Sequence, residues 1–223
     1  MNPGFCGFVR RKKLPEFLSA DGRTGRANSE EILILDTTDR KSALRREFTA
    51  RRKAIPLEVR QRYDAEICAA VAALDAFKNA EMVAAFISFG AEPDLSSLFH
   101  CKKLLLPRFN AQTGVYELAA VDDIKRDLLP GKYGIPEPSP LLPVVSPDIV
   151  ASRVLFLTPA VACDRLGTRL GRGGGFYDRL LAGVQIPPVA VIYSCQLCAT
   201  ALPGAHHDVK MGTVVTEREV IVV

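Results

Sequence analysis

The sequence lacks an uninterrupted apolar stretch of the ~18 residues that a helix needs to cross a bilayer, because charges such as Asp36 break every run. The basic cluster at residues 10–13 is followed by no long apolar segment, so it is a poor secretory signal. These absences argue against a membrane span and against secretion. They predict a cytoplasmic protein.

A regular cysteine framework is also missing. The six cysteines show no repeating spacing, and a chain of 223 residues folds without disulfides, so reduced thiols are expected. Cys195 and Cys198 have CxxC spacing with His206 and His207 nearby, which allows a zinc site or a redox pair. Because a structural zinc site usually takes two matched ligand pairs and no second CxxC exists, packed cysteines are the favoured interpretation.

Two common nucleotide-binding glycine motifs are absent as well. A Walker A loop ends in Gly-Lys-Ser/Thr, whereas the glycine-rich segment of this chain runs into Gly-Phe-Tyr-Asp. A GxGxxG fingerprint counted from Gly171 places Phe176 at the third glycine, and one counted from Gly173 places Asp178 there. The segment therefore matches neither motif.

What the segment at residues 167–179, GTRLGRGGGFYDR, does contain is typical of an anion site. Its glycines permit positive φ and a close backbone approach, and Arg169 and Arg172 supply guanidinium groups that match phosphate oxygens. A helix is predicted over residues 176–182, whose free N–H groups would point back into the loop. The pattern predicts a phosphate site, and a flexible glycine turn between strand and helix is the plain alternative.

Helical and strand patterns alternate from residue 39 onward. Helices are predicted at residues 40–54, with Asp39 as N-cap and Pro56 as the stop, and at residues 57–74 and 95–100. Strands are predicted at residues 82–89, 104–106, 154–157, 189–193 and 213–215, with 116–121 as an edge strand and 127–147 as an irregular proline-rich loop.

This alternation predicts a three-layer α/β/α fold, Rossmann-like, with a mainly parallel sheet in a single domain over residues 39–223. Residues 1–38 are expected to be a flexible N-terminal extension that turnover does not require. Sites in such sheets lie at the carboxyl ends of the strands. Glu92, after one predicted strand, and the glycine loop, after another, are therefore expected at the same edge.

Residues 169–179, RLGRGGGFYDR, preceded by Cys163, Asp164 and Gly167, resemble the signature of the 5-formyltetrahydrofolate cyclo-ligase family, also called 5,10-methenyltetrahydrofolate synthetases. Two positions depart from the family pattern: Cys163 stands where an aromatic residue is common, and Phe176 replaces a frequent tyrosine. Further family-like blocks follow in order along the chain: KSALR at 41–45, ISFGAE at 87–92, LP at 106–107, GIPEP at 134–138, HD at 207–208 and VTE at 215–217.

The resemblance implies a reaction that joins ATP and 5-formyltetrahydrofolate, with Mg²⁺, to give 5,10-methenyltetrahydrofolate, ADP and phosphate. The formyl oxygen would be phosphorylated, and N10 would then close the ring. Its partners would be ATP and the formyl folate, with no nucleic acid and no membrane, on a monomer or weak dimer. Two alternatives stay open: a non-catalytic nucleotide- or RNA-binding relative on the same fold, and a sugar-phosphate isomerase that needs neither ATP nor magnesium.

The resemblance also implies roles for individual residues. The ATP-binding residues would be Lys41, Arg45, Arg169, Leu170, Gly171, Arg172, Gly173, Gly174, Gly175, Phe176 and Tyr177. The substrate-binding residues would be Ile87, Glu92, Arg172, Gly173, Gly174, Gly175 and Phe176. Arg172 and Tyr177 would act in catalysis, Asp178 and Asp208 would hold Mg²⁺, and His207 would contact a ligand or orient Asp208.

Overall fold

A computed structural model describes residues 29–131, 134–205 and 208–223, with side chains from residue 37 onward. The chain divides into two compact units, Met1–Asp39 and Arg40–Val223. The helices are α1 (Ser29–Lys53), α2 (Leu57–Ala73), α3 (Asp75–Asn79), α4 (Ile124–Asp127), α5 (Pro147–Arg153) and α6 (Phe176–Leu180).

The strands form one large and two small sheets. In chain order they are β1 (Met82–Ala84), β2 (Lys103–Asn110), β3 (Val115–Val121), β4 (Leu128–Pro130), β5 (Pro136–Pro138), β6 (Val154–Pro159), β7 (Ala162–Asp164), β8 (Arg169–Leu170), β9 (Val189–Val191), β10 (Leu197–Cys198), β11 (Thr213–Val215) and β12 (Val220–Val222). The large sheet has the order β12-β11-β9-β6-β1-β2-β3, and β10-β7-β8 and β4-β5 form the small sheets.

The large sheet is parallel through its centre. The pairs β1/β2, β1/β6, β6/β9 and β9/β11 are parallel, and only the outermost pairs β2/β3 and β11/β12 are antiparallel. The mainly parallel sheet predicted from the sequence is therefore confirmed. The edge position predicted for residues 116–121 is confirmed too, since β3 is the last strand of the sheet.

The central strands are apolar on both faces because successive residues enter different cores. Leu155 belongs to the same buried cluster as Ile67 of α2, whereas its neighbour Phe156 belongs to a cluster with Leu181, directly after α6. Both strand residues are about fully buried, at 0% and 1% exposure. Helices thus cover the sheet on its two faces, which gives the predicted three layers.

The first helix differs from its prediction. An N-cap needs a non-helical backbone, but α1 begins at Ser29 and passes through Asp39 without a break, so Asp39 is not a cap. The boundary between an extension and a catalytic domain at residue 38 stays a prediction. The helix ends at Lys53, shortly before Pro56, as the proline predicts.

Two segments differ from their predictions: one strand is shorter than predicted, and the predicted irregular loop contains strands. The strand predicted over residues 82–89 ends at Ala84, and the chain turns at Gly90 and Ala91, which take left-handed backbone angles. The proline-rich stretch 127–147 contains the β4/β5 pair and the start of α5. A two-stranded ribbon tolerates proline because it has edges on which no N–H is needed.

Candidate active site

A cavity of about 530 Å³ lies where the strand order of the large sheet reverses. From β1 the chain goes to β2 and β3 on one side, and later to β6 on the other. Ligands of open α/β sheets bind at this kind of switch point, outside the carboxyl ends of the strands. Residues that follow β1 and β6 line the cavity, among them Phe86, Ile87, Ala160 and Val161.

All the residues for which the family resemblance implies a role, apart from His207, line this single cavity. They are Lys41, Arg45, Ile87, Glu92, Arg169, Leu170, Gly171, Arg172, Gly173, Gly174, Gly175, Phe176, Tyr177, Asp178 and Asp208. His207 lies outside the described residues. The fold thus brings together side chains from α1, the segment after β1, the glycine loop and the chain near Asp208.

The glycine loop is carried by a β-hairpin, and the sequence patterns predict no strands in this part of the chain. Strands β7 and β8 pair antiparallel, and the turn between them closes on Asp164. The Asp164 carboxylate accepts hydrogen bonds from the backbone N–H groups of Leu166, Thr168 and Leu202 at 2.8–2.9 Å. Although burial disfavours its charge, these N–H donors hold the pKa of Asp164 below its usual value. These hydrogen bonds fix the hairpin turn, and with it strand β8, from which the glycine loop continues.

Glycine is required in the loop because arginine side chains pack against its backbone. The Arg45 Nε donates to the Gly171 carbonyl oxygen at 2.9 Å, and a Cβ atom on Gly173 would lie 3.3 Å from the Arg45 guanidinium carbon. Gly173 and Gly175 also have positive φ, at 103° and 62°. Helix α6 follows from Gly175 and ends at Leu180, two residues earlier than predicted.

Helix α1 contributes two cations to the cavity from one of its faces. Lys41 and Arg45 are one turn apart, and the Lys41 Nζ lies 3.3 Å from the Asp208 carboxylate. Phe48, one turn further on and 3% exposed, packs in a buried cluster with Leu170 of β8. This apolar contact anchors the helix against the hairpin, so both cations are held in place.

Arg169 and Asp178 form a pair on the glycine-loop side of the cavity. Their side chains meet at 2.9 Å, and Arg169 is only 4% exposed. The Arg169 guanidinium also lies 5.3 Å from the centre of the Tyr177 ring, within the range of a cation–π contact. Its Nε is buried and has no hydrogen-bond partner among the described residues, so a donor is available for a bound anion.

Glu92 is the acidic side chain at the end of the β1 segment. It is 6% exposed and accepts a hydrogen bond from Arg172 at 2.6 Å, while Arg52 of α1 approaches the same oxygen to 3.6 Å. Arg172 also donates to the Phe89 carbonyl at 3.1 Å. The Glu92 carboxylate is thus the centre of an ion-pair cluster.

Aromatic rings form a continuous wall along one side of the cavity. Ring centres are 5.0 Å apart for Phe109 and Tyr116, 3.9 Å for Tyr116 and Phe176, and 4.5 Å for Phe176 and Tyr177. Phe176, where the family pattern often has tyrosine, makes ring contacts with both Tyr116 and Tyr177. Burial, with the negative charge of Glu92, raises the pKa of the Tyr177 phenol, which therefore stays protonated at neutral pH as a hydrogen-bond donor.

The two carboxylates expected to hold magnesium both line the cavity, each beside a cation. Asp178 has one oxygen paired with Arg169, and its second oxygen takes part in no hydrogen bond within the described residues. No group of three or more His, Cys, Asp or Glu able to hold a metal exists among the described residues. These two carboxylates suit a Mg²⁺ ion whose other ligands are water and oxygens of a bound substrate. They do not suit a site in which the protein supplies every ligand.

Two residues that support the cavity from behind its lining were not predicted from the sequence. Arg52 carried a detectable signal, since it lies eleven residues, or three helical turns, beyond Lys41 on the same face of α1. Gln196 is fully buried, donates to the carbonyls of Ala160 and Val161 at 2.8 and 3.0 Å, and so fixes the segment after β6. Its partners are distant in sequence, and no local pattern reveals them.

The CxxC pair stays without an assigned function. Cys195 and Cys198 are free thiols, and burial raises the pKa of Cys195, which disfavours its reactive thiolate. His206 and His207 lie outside the described residues. Cys163 is fully buried, and its pKa is raised to about 12 by burial and the charge of Asp164, so it serves as a small apolar residue in the core.

The fold and the pocket define an α/β protein with a deep cationic and aromatic cavity at the switch point of its sheet. Residues 37–217 match the model of the 5-formyltetrahydrofolate cyclo-ligase family. The 5-formyltetrahydrofolate cyclo-ligase of Mycolicibacterium smegmatis is 32% identical over 199 residues, which is 82% of this chain and 96% of the relative. The enzyme of the same name from Escherichia coli is 30% identical over 182 residues, which is 76% of this chain and 96% of the relative.

A solved structure agrees with these relatives. The NMR structure of Aquifex aeolicus 5,10-methenyltetrahydrofolate synthetase superposes with a TM-score of 0.72 at 32% identity, covering 82% of this chain and 92% of that one. The chain belongs to the 5-formyltetrahydrofolate cyclo-ligase family, and it is a ligase of folate one-carbon metabolism. Among the described residues, every helix falls short of the length or the apolar character that a membrane crossing requires.

Proposed function

We propose that this protein converts 5-formyltetrahydrofolate to 5,10-methenyltetrahydrofolate with ATP and Mg²⁺, releasing ADP and phosphate. The observation that carries the proposal is one cavity that combines a cationic glycine loop with a buried carboxylate and an aromatic wall. The cationic loop suits a triphosphate. The carboxylate suits the N–H donors of a pterin, and the aromatic wall suits its flat ring. The relatives reported above are all named as enzymes, which argues against a non-catalytic binding protein.

The cations are proposed to hold the triphosphate. Lys41 and Arg45 would contact its oxygens from α1, and Arg172 would do so from the loop, while the backbone N–H groups of residues 171–175 surround the phosphates. Phosphoryl transfer asks a protein mainly for alignment and charge neutralisation. Several cations around one cavity supply both, and the absence of a covalent nucleophile from this scheme is expected.

The folate is proposed to lie along the aromatic wall with its N–H donors at Glu92. The formyl oxygen then attacks the γ-phosphorus, so an O–P bond forms as the bond to ADP breaks. N10 next attacks the formyl carbon, the C–O bond to phosphate breaks, and the leaving phosphate carries away the N10 proton. Arg172 and the Tyr177 hydroxyl, as hydrogen-bond donors at the transferring group, would stabilise the charge that moves onto it.

Asp178 and Asp208 are the proposed Mg²⁺ ligands. When bound there, Mg²⁺ would neutralise phosphate charge and supply Lewis acidity. The pairs Lys41–Asp208 and Arg169–Asp178 hold both carboxylates at the cavity wall before any ligand arrives. Their cationic partners also limit the repulsion that two carboxylates would exert on an incoming triphosphate.

The proposal is tested by following the near-ultraviolet absorbance of the methenyl product. We expect it to grow only when ATP, Mg²⁺ and 5-formyltetrahydrofolate are all present, with one ADP and one phosphate formed per product. Growth without ATP, or none from folded protein with all three, would contradict the proposal. Replacing the formyl folate with unsubstituted tetrahydrofolate is the control, because it offers no formyl oxygen to phosphorylate.

Asp178→Asn is expected to raise the Mg²⁺ concentration at half-maximal rate several-fold, because an amide is a weaker ligand for a hard cation than a carboxylate. The measurement is a Mg²⁺ titration of the initial rate at fixed ATP and folate. Asp75→Asn is the matched control, since Asp75 is 91% exposed and pairs with Lys78 on the surface of α3. An Asp178→Asn enzyme with the wild-type titration would remove this residue from the ligand set.

A further inference from the structure

The Glu92 carboxylate is shared by two arginines that differ in exposure and in whether a helix or a loop carries them. Arg52 is 3% exposed, lies on α1 and donates to the Gly90 carbonyl at 3.1 Å. Arg172 is 46% exposed and sits on the glycine loop between Gly171 and Gly173. Glycine neighbours cost little to re-orient, whereas a packed helix does not move readily. Arg52 is therefore the fixed partner and Arg172 the movable one.

The fixed partner has unused hydrogen-bonding capacity. Within the part of the chain that the structure describes, the Arg52 Nε and one terminal nitrogen, NH1, are buried and have no hydrogen-bond partner. That terminal nitrogen is the atom 3.6 Å from the Glu92 oxygen, which is close enough for an ion pair and too long for a hydrogen bond. The oxygen concerned is already occupied by Arg172 at 2.6 Å. If Arg172 leaves, Arg52 can take over the vacated oxygen with a small adjustment.

We propose that Arg52 is a positioning residue, the permanent counter-charge of Glu92, which allows Arg172 to turn from Glu92 to the phosphates of ATP. This inference rests on the proposed function, in which Arg172 binds those phosphates. A buried carboxylate without a partner is costly, so Arg172 can leave Glu92 at little expense only because a second guanidinium stays behind. Arg52 does not line the cavity and thus acts through Glu92.

The test is a double-mutant cycle on binding of a non-hydrolysable ATP analogue, AMP-PNP with Mg²⁺, in the absence of folate. Arg52→Met keeps the Arg172–Glu92 pair in the free protein, but analogue binding then leaves the Glu92 carboxylate alone. We expect affinity to fall about tenfold or more, as when one partner of a buried charge pair is lost. Glu92→Gln, measured alone and together with Arg52→Met, completes the cycle: because no stranded charge remains, Arg52→Met should lower affinity only when Glu92 is present.

Matched variants separate positioning from simple loss of structure. Arg51→Met, the neighbouring arginine on α1, removes a cation that is 50% exposed and paired with Glu47, and it should bind the analogue as the wild type does. Arg52→Lys retains a charge and should recover part of the affinity. Thermal unfolding of each variant shows whether it is folded at the temperature of the binding measurement.

The outcomes are distinguishable from failure of the proposed function. If the wild-type protein binds no AMP-PNP and forms no methenyl product, the proposed function fails and with it this inference. If the wild type binds and turns over, but Arg52→Met binds equally well, or lowers affinity as much in the presence of Glu92→Gln as in its absence, the positioning role is overturned while the function stands.

Discussion

Arg172→Ala is expected to lower kcat/KM for ATP about 10²- to 10³-fold, the loss typical when one preorganised donor is removed from a developing charge. The side chain is 46% exposed and contributes little to the core, and Glu92 keeps Arg52 as its partner. The variant should therefore fold normally. The measurement is initial-rate kinetics of methenyl formation with ATP as the varied substrate.

The control for Arg172→Ala is Arg165→Ala, in the turn of the hairpin that carries the loop. Arg165 is 56% exposed and pairs with Glu219 away from the cavity lining, so kcat/KM should change little. Arg172→Lys should fall between the wild type and Arg172→Ala, because lysine keeps the charge without the planar fork. Equal kinetics for Arg172→Ala and Arg165→Ala would exclude Arg172 from the phosphate site.

Gly167→Ala is expected to destabilise the protein by about 2–5 kcal/mol, the sum of a left-handed backbone penalty and overpacking. Gly167 has a φ of 71°, and an added methyl group would overlap the carbonyl oxygen of Met211. Because Gly167 lies in the hairpin turn that Asp164 closes, the change should also displace Arg169 and reduce turnover. Chemical denaturation with a linear extrapolation measures the free energy of unfolding.

Gly114→Ala separates the two contributions to that loss. Gly114 also has a φ of 71°, but no atom lies within 4 Å of the position a Cβ would take. It should cost only the backbone penalty, about 1–2 kcal/mol, and leave kcat unchanged. If both variants lose the same stability, the close approach of Gly167 to Met211 is not what requires glycine in the hairpin turn.

Part of the predicted site can be proposed from the sequence alone because its residues are contiguous. The glycine loop, Arg169, Arg172 and Asp178 lie within a dozen residues, and loop conformation alone brings them close. Lys41 and Arg45 share a helix face by periodicity. The family resemblance then implied a common site for all of them, and the structure places them around one cavity. Whether they bind ATP, folate and Mg²⁺ stays a prediction that the experiments above address.

Pattern reasoning was weaker where tertiary contacts override local preference. Asp39 looks like an N-cap in sequence, yet the helix passes through it. The apolar run after Met82 reads as one long strand, yet the backbone leaves the sheet after Ala84 and turns at Gly90. Apolar runs report burial and do not report hydrogen-bond pairing, so the end of a strand inside such a run is not encoded locally.

By itself, the sequence determined the class of fold, through alternating helices and doubly buried strands, and the chemical character of the site, through arginines and glycines in one short segment. Only the tertiary structure decided which charges meet: Lys41 with Asp208, 167 residues apart, and Glu92 with both Arg172 and Arg52. The physical reason is that periodicity fixes which way a side chain faces along its own element. The pairing order of the strands fixes which element it faces.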